Sequence, residues 1–122
     1  MSKLTSNLAN IKNQIAACSP SNLNVQLLAV SKTKPLDMIR EAYHSGQRLF
    51  GENYVQEAIE KIQSASDLTE IEWHLIGPLQ SNKTKQVAEH FDWVQSIDRF
   101  KIAQRLNDQR ADNLPVLNVC IQ

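Results

Sequence analysis

Short apolar runs alternate with helical hydrophobic patterns along this chain. After an N-terminal stretch with apolar positions every three or four residues, five apolar runs follow, and their starts are about two dozen residues apart. The segments between the runs carry apolar residues at helical spacing. This alternation indicates βα units of a parallel sheet, with strands predicted at 25–31, 48–51, 72–77, 93–97 and 116–121.

The helices predicted between these strands have definable ends and inner faces. Pro35 suits the first turn of the second helix because its missing N–H costs nothing there, and Gly46 ends that helix. Ser81 or Asn82, and later Asp98, are predicted N-caps of the last two helices. From the first helix to the fifth, the predicted inner faces are Leu4, Leu8, Ile11 and Ile15; Met38, Ile39 and Ala42; Val55, Ala58, Ile59 and Ile62; Val87, Ala88 and Phe91; and Ile102, Ala103 and Leu106.

Two architectures fit this order of elements, an open doubly wound sheet and a (β/α)8 barrel. Polar side chains follow one strand end after another, and barrel enzymes build their sites from such strand tips, whereas an open sheet concentrates its site at one switch point. We therefore predict an α/β fold of the (β/α)8 barrel type, containing the first five strands and their helices. The polar tip residues are Lys32, Glu52, Asn53, His74, Ser96 and Asp98.

The chain ends at its fifth predicted strand, which would leave an unpaired strand edge. A complete barrel is about twice as long. We therefore expect residues 1–122 to be the N-terminal part of a single barrel domain.

Charge and composition exclude several classes of function. Basic and acidic residues are equal in number and the basic ones are scattered, which argues against nucleic acid and acidic membrane surfaces as partners. No apolar stretch resembles a secretory signal or approaches the roughly 20 residues of a membrane span, so we expect a cytoplasmic protein. Cys18 and Cys120 lack metal-ligand spacing, and we expect free thiols and no metal site.

Lys32 follows the apolar run 27–31 and is the first candidate for chemistry. A lysine at a strand end commonly extends its amine into water. If it points inward instead, desolvation lowers its pKa and yields the neutral amine that attacks an aldehyde. Lys34 would share the same side of an extended strand and would lower that pKa further by repulsion. Both orientations of Lys32 are open at this stage.

Two further residues lie on neighbouring predicted strands. A histidine in an apolar strand, such as His74, is commonly a hydrogen-bonded core residue, but in a barrel it would face the same interior as Lys32 and could stack on a planar ligand. Asn53 lies where a strand becomes a helix, so it could cap that helix, contact a ligand, or do both. Glu52 could orient an amine or complete a cap.

Four strings in this chain resemble one known family. In order and spacing, LLAVSKTKP, GQRLFGENYVQEAIEKI, EWHLIGPLQSNKTKQVAEHFDWVQSID and LNVCIQ are similar to the pyridoxal phosphate homeostasis proteins, whose fold is related to the N-terminal barrel of alanine racemase. The resemblance implies a cytoplasmic, single-domain barrel that holds pyridoxal 5′-phosphate as a Schiff base on Lys32, with Asn53 and His74 around the cofactor. It further implies a role in cofactor homeostasis without catalytic residues, a monomer, and apo-enzymes as recipients of the cofactor.

Two other functions stay open. An amino-acid racemase needs a second acid or base on the opposite face of the cofactor ring, and neither Tyr43 nor Tyr54 is an obvious one, because both lie on predicted helices. A protein-interaction module without a ligand would require Lys32 to be unreactive. The resemblance also implies that the phosphate-binding loops follow later strands, which these 122 residues do not include.

Overall fold

The protein forms a single parallel sheet with its helices packed against it. The computed structural model describes residues 2–21 and 23–122. In chain order the elements are α1 (Lys3–Cys18), β1 (Ala29–Val30), α2 (Leu36–His44), β2 (Leu49–Glu52), α3 (Val55–Ser64), β3 (Glu72–Leu75), a 3-10 turn (Ser81–Lys83), α4 (Thr84–His90), β4 (Trp93–Ile97), α5 (Phe100–Gln109) and β5 (Asn118–Ile121).

The strand order decides between the two predicted architectures. The five strands lie side by side in the order β1-β2-β3-β4-β5, and every neighbouring pair is parallel. A doubly wound sheet reverses its strand order at a switch point, and the sheet formed by the described residues has no reversal. This is the order of the first five strands of a (β/α)8 barrel, as predicted.

One side of the sheet carries the hydrophobic core. Each fully buried Leu, Ile, Val or Phe side chain there contributes roughly 1.5–3 kcal/mol to folding. The predicted inner faces of α2 to α5 are largely confirmed, although Met38, Val55, Ile62 and Ala103 are only partly buried. In α1 only Leu8 is buried. The core is formed mainly by Ile39, Ala42, Phe50, Ala58, Ile59, Trp73, Leu75, Val87, Ala88, Phe91, Val94, Ile97, Ile102 and Leu106.

The first strand is shorter than predicted because a side chain replaces part of its ladder. Gln47 Nε2 donates to the carbonyl of Leu27 at 2.7 Å and to that of Leu49 at 2.9 Å. Backbone pairing between β1 and β2 therefore begins only at Ala29, which lies opposite Phe50.

The last strand also begins late. The Arg110 guanidinium donates to the carbonyl of Pro115 at 2.8 and 3.0 Å and fixes the approach to the strand. Backbone pairing starts with Asn118, whose N–H bonds the carbonyl of Asp92 at 3.1 Å.

The predicted helix caps were wrong for α4 and α5. Neither Ser81 nor Asn82 caps α4, because both lie in the preceding 3-10 turn and Thr84 Oγ1 donates to the Ser81 carbonyl. Arg99, not Asp98, immediately precedes α5, and no side chain caps that helix. In contrast, Gly46 follows α2 with φ +106°, a conformation that favours glycine, as predicted for the end of that helix. Pro35 is the residue just before α2 rather than part of its first turn.

The described part of the chain contains no membrane-spanning helix, no metal-binding cluster and no disulfide. None of its helices is long and apolar enough to cross a membrane. Residues 2–21 and 23–122 contain no group of three or more His, Cys, Asp or Glu side chains placed to hold a metal ion. Cys18 and Cys120 are exposed free thiols.

Gly77 permits a close approach between two loops at the carboxyl end of the sheet. A Cβ at position 77 would lie 2.4 Å from the carbonyl oxygen of Asn53 and 2.9 Å from its Cα, so one of the two backbones would have to move. Gly51 differs, because a Cβ there would meet only side-chain carbons of Ile76 and Leu28, at 3.2 and 3.4 Å.

We predict that Gly77→Ala lowers the free energy of unfolding by about 1–3 kcal/mol, the usual cost of overpacking. Gly51→Ala is the control and should cost less, because side-chain ends move more easily than backbone. Urea unfolding of both variants measures the difference. Equal losses of unfolding free energy in the two variants would show that the close approach of the Asn53 backbone does not require glycine at position 77.

Candidate functional site

Lys32 lies in a tight turn that begins directly after β1. The Lys34 N–H bonds the Ser31 carbonyl at 3.2 Å and closes the turn, and Thr33 within it has φ +59°. The Lys32 side chain is exposed. The prediction that Lys34 shares one side of an extended strand with Lys32 was therefore wrong, since the chain turns between them. The described residues do not enclose Lys32, so its amine is not desolvated in this chain.

Asn53 follows β2 and offers a buried acceptor. Tyr54, not Asn53, immediately precedes α3, so the capping interpretation of Asn53 was wrong. The Oδ1 atom of Asn53 is buried and accepts no hydrogen bond from any residue that the structure describes. An unsatisfied buried acceptor costs about 1–3 kcal/mol, and such atoms are rare in folded proteins. Asn53 therefore has the property expected of a residue that bonds a ligand.

His74 is buried in β3 and has a defined tautomer. Its Nε2 lies 2.9 Å from Glu72 Oε1, and its Nδ1 lies 2.9 Å from Gln95 Nε2. An ionised carboxylate only accepts hydrogen bonds, so Nε2 carries the proton and Nδ1 accepts from the Gln95 amide. Burial lowers the pKa of His74, and this effect outweighs the opposing hydrogen bond to Glu72.

The Trp93 indole covers one face of this neutral imidazole, with ring centroids 5.3 Å apart and planes 5° from parallel. Because both nitrogens are engaged and one face is stacked, a ligand could meet His74 through the other ring face.

The parallel register brings the three predicted site residues to neighbouring strands. Gly51 lies opposite Val30 on one side and opposite His74 on the other. Lys32 comes two residues after Val30, and Asn53 comes two residues after Gly51. Both therefore lie at the carboxyl edge of the sheet. At about 3.3 Å per residue, His74 lies roughly 6–7 Å deeper in the sheet than this edge. Of the other predicted tips, Ser96 donates its hydroxyl to the Gly77 carbonyl, and Asp98 is exposed beside Arg99.

Lys61 is the residue that the sequence analysis missed. Glu52 is fully buried, and its carboxylate pairs with Lys61 Nζ of α3 at 3.0 Å and also accepts a hydrogen bond from Ser31 Oγ. Glu52 therefore does orient an amine, but the amine is that of Lys61 and not that of Lys32. The available signal was the position of Lys61 between Ile59 and Ile62, both on the inner face of α3.

Comparison with known proteins places this fold and these motifs in a family. The model of the alanine racemase N-terminal domain matches residues 1–122. The chain belongs to the alanine racemase N-terminal domain family. It is 56% identical to the pyridoxal phosphate homeostasis protein of Escherichia coli strain K12 over 128 residues, which cover all of this chain and 55% of that protein. It is 60% identical to the protein of the same name from Haemophilus influenzae, over 95% of this chain and 51% of the relative.

Solved structures of PipY from Synechococcus elongatus PCC7942 have the same fold. The structure with pyridoxal phosphate bound has a TM-score of 0.78 and 48% identity over 88% of this chain and 48% of PipY. The structure without it has a TM-score of 0.80 and 41% identity over 98% of this chain and 59% of PipY. The resemblance and the barrel-type fold predicted from the sequence are thus confirmed. The chain spans about half the length of the curated relatives it matches.

We predict that His74 makes stability fall with acidity just below neutral pH. The folded state holds the imidazole at a pKa below its ordinary 6.5, so the unfolded chain binds the proton more readily. The contribution of neutral His74 to the free energy of unfolding is complete above pH 6.5. It declines as the pH falls below that value, by at most about 1.4 kcal/mol per pH unit. Urea unfolding of the wild type and of His74→Gln at about pH 7.5 and about pH 5.5 tests this, and the stability gap should narrow at the lower pH. A constant gap would contradict the assignment of a neutral, buried imidazole.

Proposed function

We propose that this chain is the N-terminal part of a barrel domain that binds pyridoxal 5′-phosphate through the Lys32 amine and serves in intracellular homeostasis of that cofactor. The relatives that are named pyridoxal phosphate homeostasis proteins, and the PipY structure with pyridoxal phosphate bound, support the choice of cofactor. One feature of this chain carries the proposal. The exposed Lys32 and the buried Asn53 Oδ1, to which no described residue donates a hydrogen bond, follow two adjacent strands at the same edge of the sheet.

The residues present fit such a cofactor. When bound, the cofactor supplies an aldehyde carbon, with which a neutral lysine amine condenses with loss of one water molecule. Lys32 contributes the amine, and its exposure lets the proton of the ammonium pass to solvent. Asn53 Oδ1 contributes an acceptor for a donor group of the ligand. The ring face of His74 that Trp93 does not cover would contribute a flat wall against the ligand.

The same geometry favours carriage of the cofactor over amino-acid turnover. His74 is neutral and has both nitrogens engaged, so it is a poor proton donor or acceptor for a ligand. We propose a monomeric, cytoplasmic carrier that passes its cofactor to apo-enzymes. Racemisation of a single amino acid enantiomer at an enzymic rate would contradict this part of the proposal.

We predict that Lys32→Arg abolishes covalent binding, because an arginine keeps the charge but offers no nucleophilic amine at neutral pH. Absorbance of the bound cofactor distinguishes the covalent from the free aldehyde form. Lys34→Arg, two residues further along the chain, is the matched control and should keep the covalent spectrum. Unchanged spectra in Lys32→Arg would overturn the assignment.

Both variants are made in two forms of the protein. One form is this chain alone, and the other is a chimera in which the remaining part of the Escherichia coli relative follows Gln122. Covalent binding in the chimera alone would show that the later strands are required for the site, while binding in both would show that this half already forms it.

We predict that Asn53→Ala weakens cofactor binding without a matching loss of stability. The substitution removes a buried acceptor to which no described residue donates a hydrogen bond. The relief of its desolvation cost offsets part of the stability lost with the side-chain contacts. The apo-protein should melt within a few degrees of the wild type, while the dissociation constant for the cofactor rises about tenfold, the loss of one hydrogen bond. A large drop in melting temperature with unchanged affinity would make Asn53 a structural residue.

A further inference from the structure

Beneath the Lys32 turn lies a cluster of three charged side chains, Glu52, Glu57 and Lys61, which we call the lysine clamp. Lys61 Nζ lies 2.7 Å from Glu57 Oε1 and 3.0 Å from Glu52 Oε2. Its third partner is the main-chain carbonyl of Ser31, at 2.7 Å. An ammonium has three N–H donors, so each of them has an acceptor among these three groups.

The clamp holds the backbone on both sides of Lys32. Before Lys32, the Ser31 carbonyl accepts from Lys61 and the Ser31 hydroxyl donates to Glu52. After Lys32, the Thr33 N–H donates to Glu57 Oε1 at 2.6 Å. Lys32 is thus flanked by two main-chain groups that are both bonded to charged side chains of the clamp.

The turn held in this way is strained. Thr33 has φ +59°, a conformation that costs a non-glycine residue roughly 1–2 kcal/mol and that a β-branched residue rarely adopts. The corresponding turn position is usually occupied by glycine or asparagine. Such a conformation persists only where its surroundings over-determine it, and here the bond from Thr33 N–H to Glu57 is one of the contacts that does so.

The charge states of the clamp suit this role. The hydrogen bond from Lys61 lowers the pKa of Glu57, and the bond from the Thr33 N–H acts in the same direction. Glu57 therefore stays ionised and remains an acceptor near neutral pH. Glu52 has no contact with solvent. A buried ion pair adds little net stability compared with apolar side chains of similar size, so stability alone is a weak reason for placing three charges at this position.

We propose that Glu52, Glu57 and Lys61 are positioning residues that fix the turn and thereby direct the Lys32 amine to the aldehyde carbon of the cofactor. This inference rests on the proposed function of Lys32. A loss of about 1 Å in the placement of a reacting group can cost about 100-fold in reactivity. Release of the turn would let Thr33 return to an ordinary φ and would displace Lys32 with it.

The test compares two ligands that differ in the aldehyde alone. Pyridoxal 5′-phosphate reacts with Lys32, whereas 4-deoxypyridoxine 5′-phosphate has a methyl group in place of the aldehyde and cannot. In the double variant Glu52→Leu/Lys61→Met, apolar side chains replace the buried pair, an exchange that is often neutral for stability. We expect affinity for the aldehyde to fall at least about tenfold, with affinity for the analogue unchanged within about twofold.

Two further variants keep the test decisive. Glu57→Ala removes the bond to Thr33 while leaving the Glu52–Lys61 pair, and it should show the same selective loss even if the double variant fails to fold. Arg40→Met/Asp67→Asn is the control, because it removes an exposed ion pair of 2.7 Å on another part of the surface and should change neither affinity.

An equal loss of affinity for both ligands would show that the clamp only supports the fold. Unchanged affinity for both would show that it does not act on Lys32. Either result overturns the inference. If the wild type itself binds aldehyde and analogue equally, the proposed function fails instead, and the clamp has no amine to direct.

Discussion

The register between β1, β2 and β3 brings the candidate site together. Gly51 lies opposite Val30 and His74, so residues that are far apart in sequence reach one edge of the sheet in a fixed order. Parallel strands all present their carboxyl ends at this edge, and Lys32 and Asn53 extend from it. The lack of a side chain at Gly51 lets Leu28 and Ile76 approach from either side. A slip of one residue in this register would turn every one of these side chains to the opposite face.

Two lysines at this edge have opposite environments, and the contrast supports the roles proposed for them. Lys61 is 9% exposed and has its three donors satisfied by two carboxylates and a carbonyl. The nitrogen of Lys61 is enclosed by these partners and is not accessible to a ligand. Lys32 is exposed and sits on the strained turn that Lys61 helps to hold. The fold thus separates the buried amine of Lys61 from the exposed amine of Lys32, although Lys61 bonds the carbonyl of Ser31, the residue just before Lys32.

Much of this arrangement could be predicted from the sequence, because it depends on local periodicity. The alternation of apolar runs and helical patterns predicted the order of the elements, and the polar residues after each run predicted the edge at which Lys32 and Asn53 lie. What could not be predicted depends on contacts between distant residues. Gln47 shortens β1 by bonding the carbonyl of Leu27, twenty residues earlier, and Lys61 on α3 pairs with the buried Glu52 of β2.

The left-handed conformation of Thr33 also could not be predicted from the local sequence, because nothing in a threonine itself favours it. The partner of its N–H, Glu57, lies on α3 and 24 residues further along the chain. The failed caps of α4 and α5 have a different cause, since a 3-10 turn and an uncapped start replaced the side-chain bonds that Ser81, Asn82 and Asp98 were expected to make.

The most direct measurement is the position of a trapped adduct. Pyridoxal 5′-phosphate is added to the protein, alone and as the chimera, the product is reduced with borohydride, and peptide mass spectrometry locates the modified lysine. We expect an adduct on Lys32 in the chimera at least, with none above background on Lys34 or on the buried Lys61. An adduct spread evenly over exposed lysines, or concentrated on another lysine in both forms, would contradict the assignment of Lys32 as the cofactor-binding amine.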